Sequence, residues 1–184
     1  MTFIPEQPKE SHDVPYFDDV SRSAGWRGMA TTKSLDVLKG EVGMALTRLG
    51  GQPLRFQRGR FEINGQSREG YRVYYGLETG REGEIAQGRL EVAALPVKRE
   101  PRRRRSSETR QDKSLRMALF MLREALDGAW FLQQLSPGYA PLMPWMLVDG
   151  ERTVTELWSQ SGPMQRLLPD GGEFIEGEIC PSLS

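Results

Sequence analysis

The sequence predicts an α+β domain in the order α-β-β-β-α, a three-stranded antiparallel sheet packed against helices, with short helices after it. Three observations carry this. Apolar residues recur at helical spacing in two separated stretches, 35–49 and 115–130. Between them the chain alternates apolar and polar residues. Asn64-Gly65, a tight-turn dipeptide, sits between two strand-like runs.

The first helix is read in TTKSLDVLKGEVGMALTRLGG. Leu35, Leu38, Val42, Ala45, Leu46 and Leu49 form the stripe, and Val37 widens it. Thr31, Thr32 or Ser34 can cap its start, and Gly50-Gly51 supplies a left-handed stop. Gly40 and Gly43 lower helix propensity by roughly 1 kcal/mol each. They are read as points of close packing. PLRFQRGRFEI is the first strand, with Gly59 a candidate bulge. INGQSREGYRVYYGLET then alternates Tyr71, Val73, Tyr75 and Leu77 against Arg72 and Tyr74. In EIAQGRLEVAALPV, Leu90, Val92 and Ala94 share a face, completing an antiparallel meander.

KREPRRRRSSETRQDKS is polar and aperiodic, and reads as a solvated basic loop over 98–113. SLRMALFMLREALDGAWFLQQL follows as the most apolar helix. Its stripe of Leu115, Ala118, Leu119, Leu122, Ala125, Leu126, Ala129 and Trp130 is broadened by Met117, Phe120 and Met121 past half the circumference. Such a helix needs contacts on more than one side. One side meets the sheet and the first helix; residues 139–160 are expected to close the other, with Trp145 and Trp158 as core anchors. That piece should form a helical turn before Asp149-Gly150 and a short helix around Val154–Trp158.

A chain of 184 residues with 38% hydrophobic and 27% charged residues, 20 Gly and 12 Pro fits one domain with extra at its ends. Residues 1–30 read as a flexible acidic arm, with Val14-Pro15-Tyr16-Phe17 and Trp26 able to pin it. Residues 31–160 form the domain, and 161–184 an irregular acidic tail. No apolar run is long enough to span a membrane, and the N-terminus lacks a signal-peptide layout. The single cysteine, Cys180, excludes an intrachain disulfide framework and any zinc site built on several thiolates. A cytoplasmic protein is expected.

The zero net charge conceals segregation. Nine basic and three acidic residues lie between Lys98 and Arg116. Five carboxylates face one Lys in residues 1–20, and seven face two Arg in 149–184. This layout points to a polyanion partner for the middle, or to shielding of the middle by the chain's own ends.

No catalytic residue, metal ligand or cofactor is expected. The only histidine, His12, lies in the arm, Cys180 lies in the tail, and no phosphate-cradling glycine motif is present. A nuclease would need converging acids, whereas Glu62, Glu78, Glu84 and Glu91 are scattered over the strands. The strongest local signal is Arg102, Arg103, Arg104 and Arg105, since each guanidinium can fork onto phosphate oxygens. Arg110, Lys113 and Arg116 continue it. On the sheet, Arg55, Arg72 and Tyr74 interleave basic and aromatic groups, with Arg58 and Arg60 nearby.

The order of elements over 33–135 is similar to that of double-stranded-RNA-binding domains, whose second helix opens with lysines that straddle phosphates. Arg110, Lys113 and Arg116 occupy comparable places. The Gly-Pro-x-His loop and Lys-Lys-x-Ala-Lys run of that family are absent. Residues 114–157 resemble the C-terminal half of small uncharacterised proteins of bacteriophages and mobile elements. Those share a Leu/Ala-rich helix, a short apolar segment and a motif like Asp149-Gly150-x-Arg152-Thr153-Val154. The resemblance brings no activity with it and implies only a mobile-element context, in which small non-enzymatic accessory proteins are common.

The expected function is therefore non-catalytic binding of DNA or RNA through backbone phosphates. The alternative is a protein–protein interaction subunit of a larger phage or mobile-element complex, homodimer included, with 114–147 as the interface.

Overall fold

The computed structural model describes residues 14–63, 65–78, 84–98 and 104–160, and from 104 to 108 the backbone alone. Helix α1 spans Leu35–Arg48, strands β1, β2 and β3 span Gly51–Ile63, Gln66–Glu78 and Ile85–Ala93, and helix α2 spans Arg104–Leu135. A 3-10 turn at Met143–Trp145 and helix α3, Val154–Gln160, follow. The α+β class, the element order and the antiparallel meander β1-β2-β3 agree with the expectation.

Local chemistry sets the boundaries. Ser34 caps α1, its hydroxyl accepting from the Val37 amide, and Gly50 ends it at φ 86°. A two-residue turn with Gly65 at φ 73° places Ile63 opposite Gln66, and β1 and β2 zip back from there. The bulge lies between Pro53 and Arg55, not at Gly59, which pairs regularly with Gly70. Proline has no amide to give the ladder, so the strand buckles there instead.

One face of the sheet carries the core. Tyr71, Val73, Tyr75 and Leu90 pack on Leu38, Val42 and Leu46 of α1 and on Leu115, Leu119 and Leu126 of α2. Each such side chain contributes about 1.5–3 kcal/mol by leaving water. Arg48 joins the helices, stacking 4.1 Å from the Trp130 ring centroid and pairing with Asp127 at 3.0 Å.

Further expectations are corrected. Helix α2 starts at Arg104, so most of the stretch expected as a basic loop is helical. Its first ten residues hold no Gly or Pro and many good helix formers, but no apolar stripe to announce them. The second side of α2 is covered by the N-terminal segment and not by 139–160. Phe17 and Val20 are buried with Leu95 and Met117, with Trp26, Met29 and Met121 around them, and the Phe17 amide donates to the Pro96 carbonyl. From Val14 onward the expected flexible arm is thus docked by apolar anchors; residues 1–13, like 161–184, lie outside the described residues.

The C-terminal piece packs on β3. Leu142 enters the core and its carbonyl accepts from the buried Tyr75 hydroxyl at 2.8 Å. Met146 bridges to Gly88, and the Leu147 amide donates to Gln87. Trp145 and Trp158 are exposed rather than buried. Of the two helix glycines, Gly43 does lie against Pro53, whereas Gly40 faces open space.

Candidate nucleic-acid interface

Alternation along β2 sends Tyr71, Val73 and Tyr75 to the core and Arg72 and Tyr74 to the opposite, outer face. Register brings the neighbours: Arg55 and Arg89 flank Tyr74 on one rung, Gln57 and Glu91 flank Arg72 on the next. Three sequence-predicted residues, Arg55, Arg72 and Tyr74, are therefore adjacent. The Arg55 guanidinium stacks on Tyr74 at 4.2 Å and has no carboxylate partner among the described residues. Arg72 binds Glu91 at 2.7 Å and reaches to 6.0 Å from the Phe61 ring. A cleft of about 240 Å³ lies between Gln57, Gly59, Arg60, Phe61 and Arg72, and another of about 420 Å³ lies between Tyr74, Arg89 and the 150–160 segment.

Arg89 went unnoticed as a site residue. It is 8% exposed, donates to the Glu151 carbonyl at 2.6 Å, and pairs with Glu156 at 2.5 Å and Glu91 at 3.1 Å. It fastens the C-terminal segment to the outer face after that segment has crossed the β3 edge. Burial raises the Glu156 carboxyl, but the Thr153 amide and the Arg89 charge outweigh it, leaving a net depression. Asp149 is held at about 2 by the Arg152 amide, the Arg152 guanidinium and the Glu151 amide, which fixes the loop. Only the β3 register and the path of 142–156 reveal Arg89, and no local motif marks either. Arg68, also buried, donates to the Ala93 and Ala94 carbonyls, so it is a structural guanidinium.

The basic segment lies on the other side of the sheet, because α2 packs on the core face. The two groups of predicted residues do not form one patch. Arg102 and Arg103 lie outside the described residues; Arg104 and Arg105 are in the first turn of α2. Arg110 donates to Asp18 at 2.8 Å, and Lys98 pairs with Asp19. Burial raises the Asp18 carboxyl, but the Lys98 amide and Arg110 guanidinium overcome this and leave it below its ordinary value. These two charges are engaged by the chain's own acidic N-terminal segment, the self-shielding the charge layout left open. Lys113 is exposed and Arg116 half-buried, its Nε buried without a hydrogen-bond partner.

A larger cleft, about 670 Å³, lies between residues 22–31 and Phe120 and Glu124. It is the seam where the N-terminal segment crosses α2, with Gly28 against the Phe120 ring. Among the described residues no three His, Cys, Asp or Glu side chains converge to hold a metal, and no helix is long and apolar enough to cross a membrane. No family model, curated protein or solved structure matches this chain.

Proposed function

We propose that the chain is a non-catalytic nucleic-acid-binding protein whose principal contact surface is the outer face of the sheet around Arg55, Arg72 and Tyr74. The observation that carries this is the Arg55–Tyr74 stack beside Arg72 on the sheet face opposite α1 and the core, next to the docked 150–160 segment. A planar cation over a ring, next to a second guanidinium, offers phosphate contacts and a stacking surface together. The arginines at the start of α2 act as a second phosphate contact, where helix-end amides also favour anions.

The test is a fluorescence-anisotropy titration of labelled oligonucleotides at two salt concentrations. Log affinity should fall linearly with log salt, by about 0.7–0.9 per phosphate contacted. The Arg55→Ala, Arg72→Ala double variant should flatten that slope by about 1.5. Replacing Arg102, Arg103, Arg104 and Arg105 with Ala should weaken all sequences alike. Wild-type protein that binds no nucleic acid at low salt overturns the proposal.

A second reading, an interaction subunit of a larger assembly, has its own observation. Residues 115–126 of the apolar stretch are largely covered, but Phe131 (59%), Leu135 (80%) and Met143 (57%) are exposed beyond them. That reading predicts assembly that survives high salt and is lost on Leu135→Asp.

A further inference from the structure

We infer that the nucleic acid taken by the outer sheet face is single-stranded, its unpaired bases stacking on Tyr74 and Phe61. The inference rests on the nucleic-acid reading above and names the ligand class for that surface.

Two rings lie on one open face, each with a guanidinium beside it: Arg55 at Tyr74 and Arg72 at Phe61. A duplex presents phosphates and groove edges, while its base faces are closed within the stack. Rings on a sheet face then gain nothing from it. An unpaired base offers a free π-face, and stacking on a protein ring tolerates any sequence.

One rung between the rings carries no side chain on β1 or β2. Gly59 and Gly70 form the rung there; a Cβ on Gly59 would meet nothing within 4 Å. A Cβ on Gly70 would stand 2.7 Å from Phe61 Cε2, so the glycine leaves room for the Phe61 ring to pack over the β2 backbone. Gln57, in the cleft beside it, carries an amide that can both donate and accept. From the Tyr74 rung to Phe61 is six residues of β1, about 20 Å. An extended strand bridges that distance with a few nucleotides.

Charge favours the same occupant. Arg55 has no carboxylate partner among the described residues, and Glu91 is shared by Arg72 and Arg89. Glu151 and Glu156 wall the face on the α3 side, so a bound strand runs along β1 and β2 rather than towards α3.

The experiment uses the full chain with labelled oligo-dT, oligo-U and a duplex of equal length at low salt. Single strands should bind at least tenfold tighter than duplex. Tyr74→Ala and Phe61→Ala should each lower single-strand affinity by about ten- to a hundredfold. If thermal melting shows either variant unfolded, Arg55→Ala, wholly at the surface, is the replacement and should act in the same direction. Duplex binding as tight as or tighter than single strand overturns the inference and leaves the broader nucleic-acid reading standing. Single-strand binding that is unmoved by all three substitutions overturns the inference and removes the contact surface from the sheet, leaving only nucleic-acid binding elsewhere on the chain. Failure to bind either form overturns both.

Discussion

Alanine in place of Gly88 should destabilise the protein by about 3 kcal/mol. The new Cβ would stand 2.2 Å from Tyr75 Cζ and 2.4 Å from its hydroxyl oxygen. Tyr75 is completely buried and its hydroxyl is tied to the Leu142 carbonyl, so the ring has no free space to enter. Overpacking of this kind costs about 1–3 kcal/mol. Losing the partner of a buried carbonyl costs about 1–3 more. At 2–4 °C per kcal/mol for a chain of this size, the thermal midpoint should fall by roughly 6–12 °C. The same substitution at Gly40, where nothing lies within 4 Å of the added methyl, should raise stability by about 0.5–1 kcal/mol through helix propensity. Thermal melts of both variants measure the contrast. Hydrogen exchange should locate the damage at Leu147 and Val154, whose amides donate to Gln87 and Met146. A Gly88→Ala protein as stable as the parent would refute the account, because the Tyr75 ring could not then lie over Gly88.

Phe17→Ala should cost about 3 kcal/mol in chemical denaturation, since it empties the site between Leu95 and Met117; a change below about 0.5 kcal/mol would mean the N-terminal segment does not dock. Asp18 and Glu156 have folded pKa values below their ordinary ones, so the unfolded chain binds more protons in acid. Their stabilisation is complete above the ordinary carboxylate range and is lost as pH falls from that range through the depressed folded values. Asp18→Asn with Glu156→Gln should flatten the fall of the thermal midpoint across that window, and an unchanged slope would count against both contacts.

Much of the fold was legible because its signals are local. The stripe of α1, the Ser34 cap and the alternation of 71–77 each follow from a few neighbouring residues. The Asn64-Gly65 turn even sets a register: counting back from Ile63 opposite Gln66 puts Arg55 opposite Tyr74. The adjacency at the candidate site was therefore derivable before any coordinates. The early start of α2 was not, since apolar periodicity is silent where a helix runs beyond the core. Phe17 and Val20 carry no period because a 3-10 turn and the extended residue after it seat them. For Arg89 the obstacle was different: a charge in a strand reads as solvent-facing until a segment sixty residues away covers it.

The crossing of β3 by residues 146–147 makes the sheet asymmetric at its borders. On one side the chain itself crosses the edge at Gly88, where Met146 bridges and the Leu147 amide donates to the Gln87 carbonyl; on the other, β1 has no strand beyond it among the described residues. A border crossed in its middle offers no continuous run of amides and carbonyls for another strand. Strand-to-strand association between copies is then favoured at β1 against β1, a two-fold contact that consumes the open border of both and stops at a pair. The bulge at Pro53 and the row of arginines along β1 oppose even that pairing, by buckling the border and setting like charges side by side.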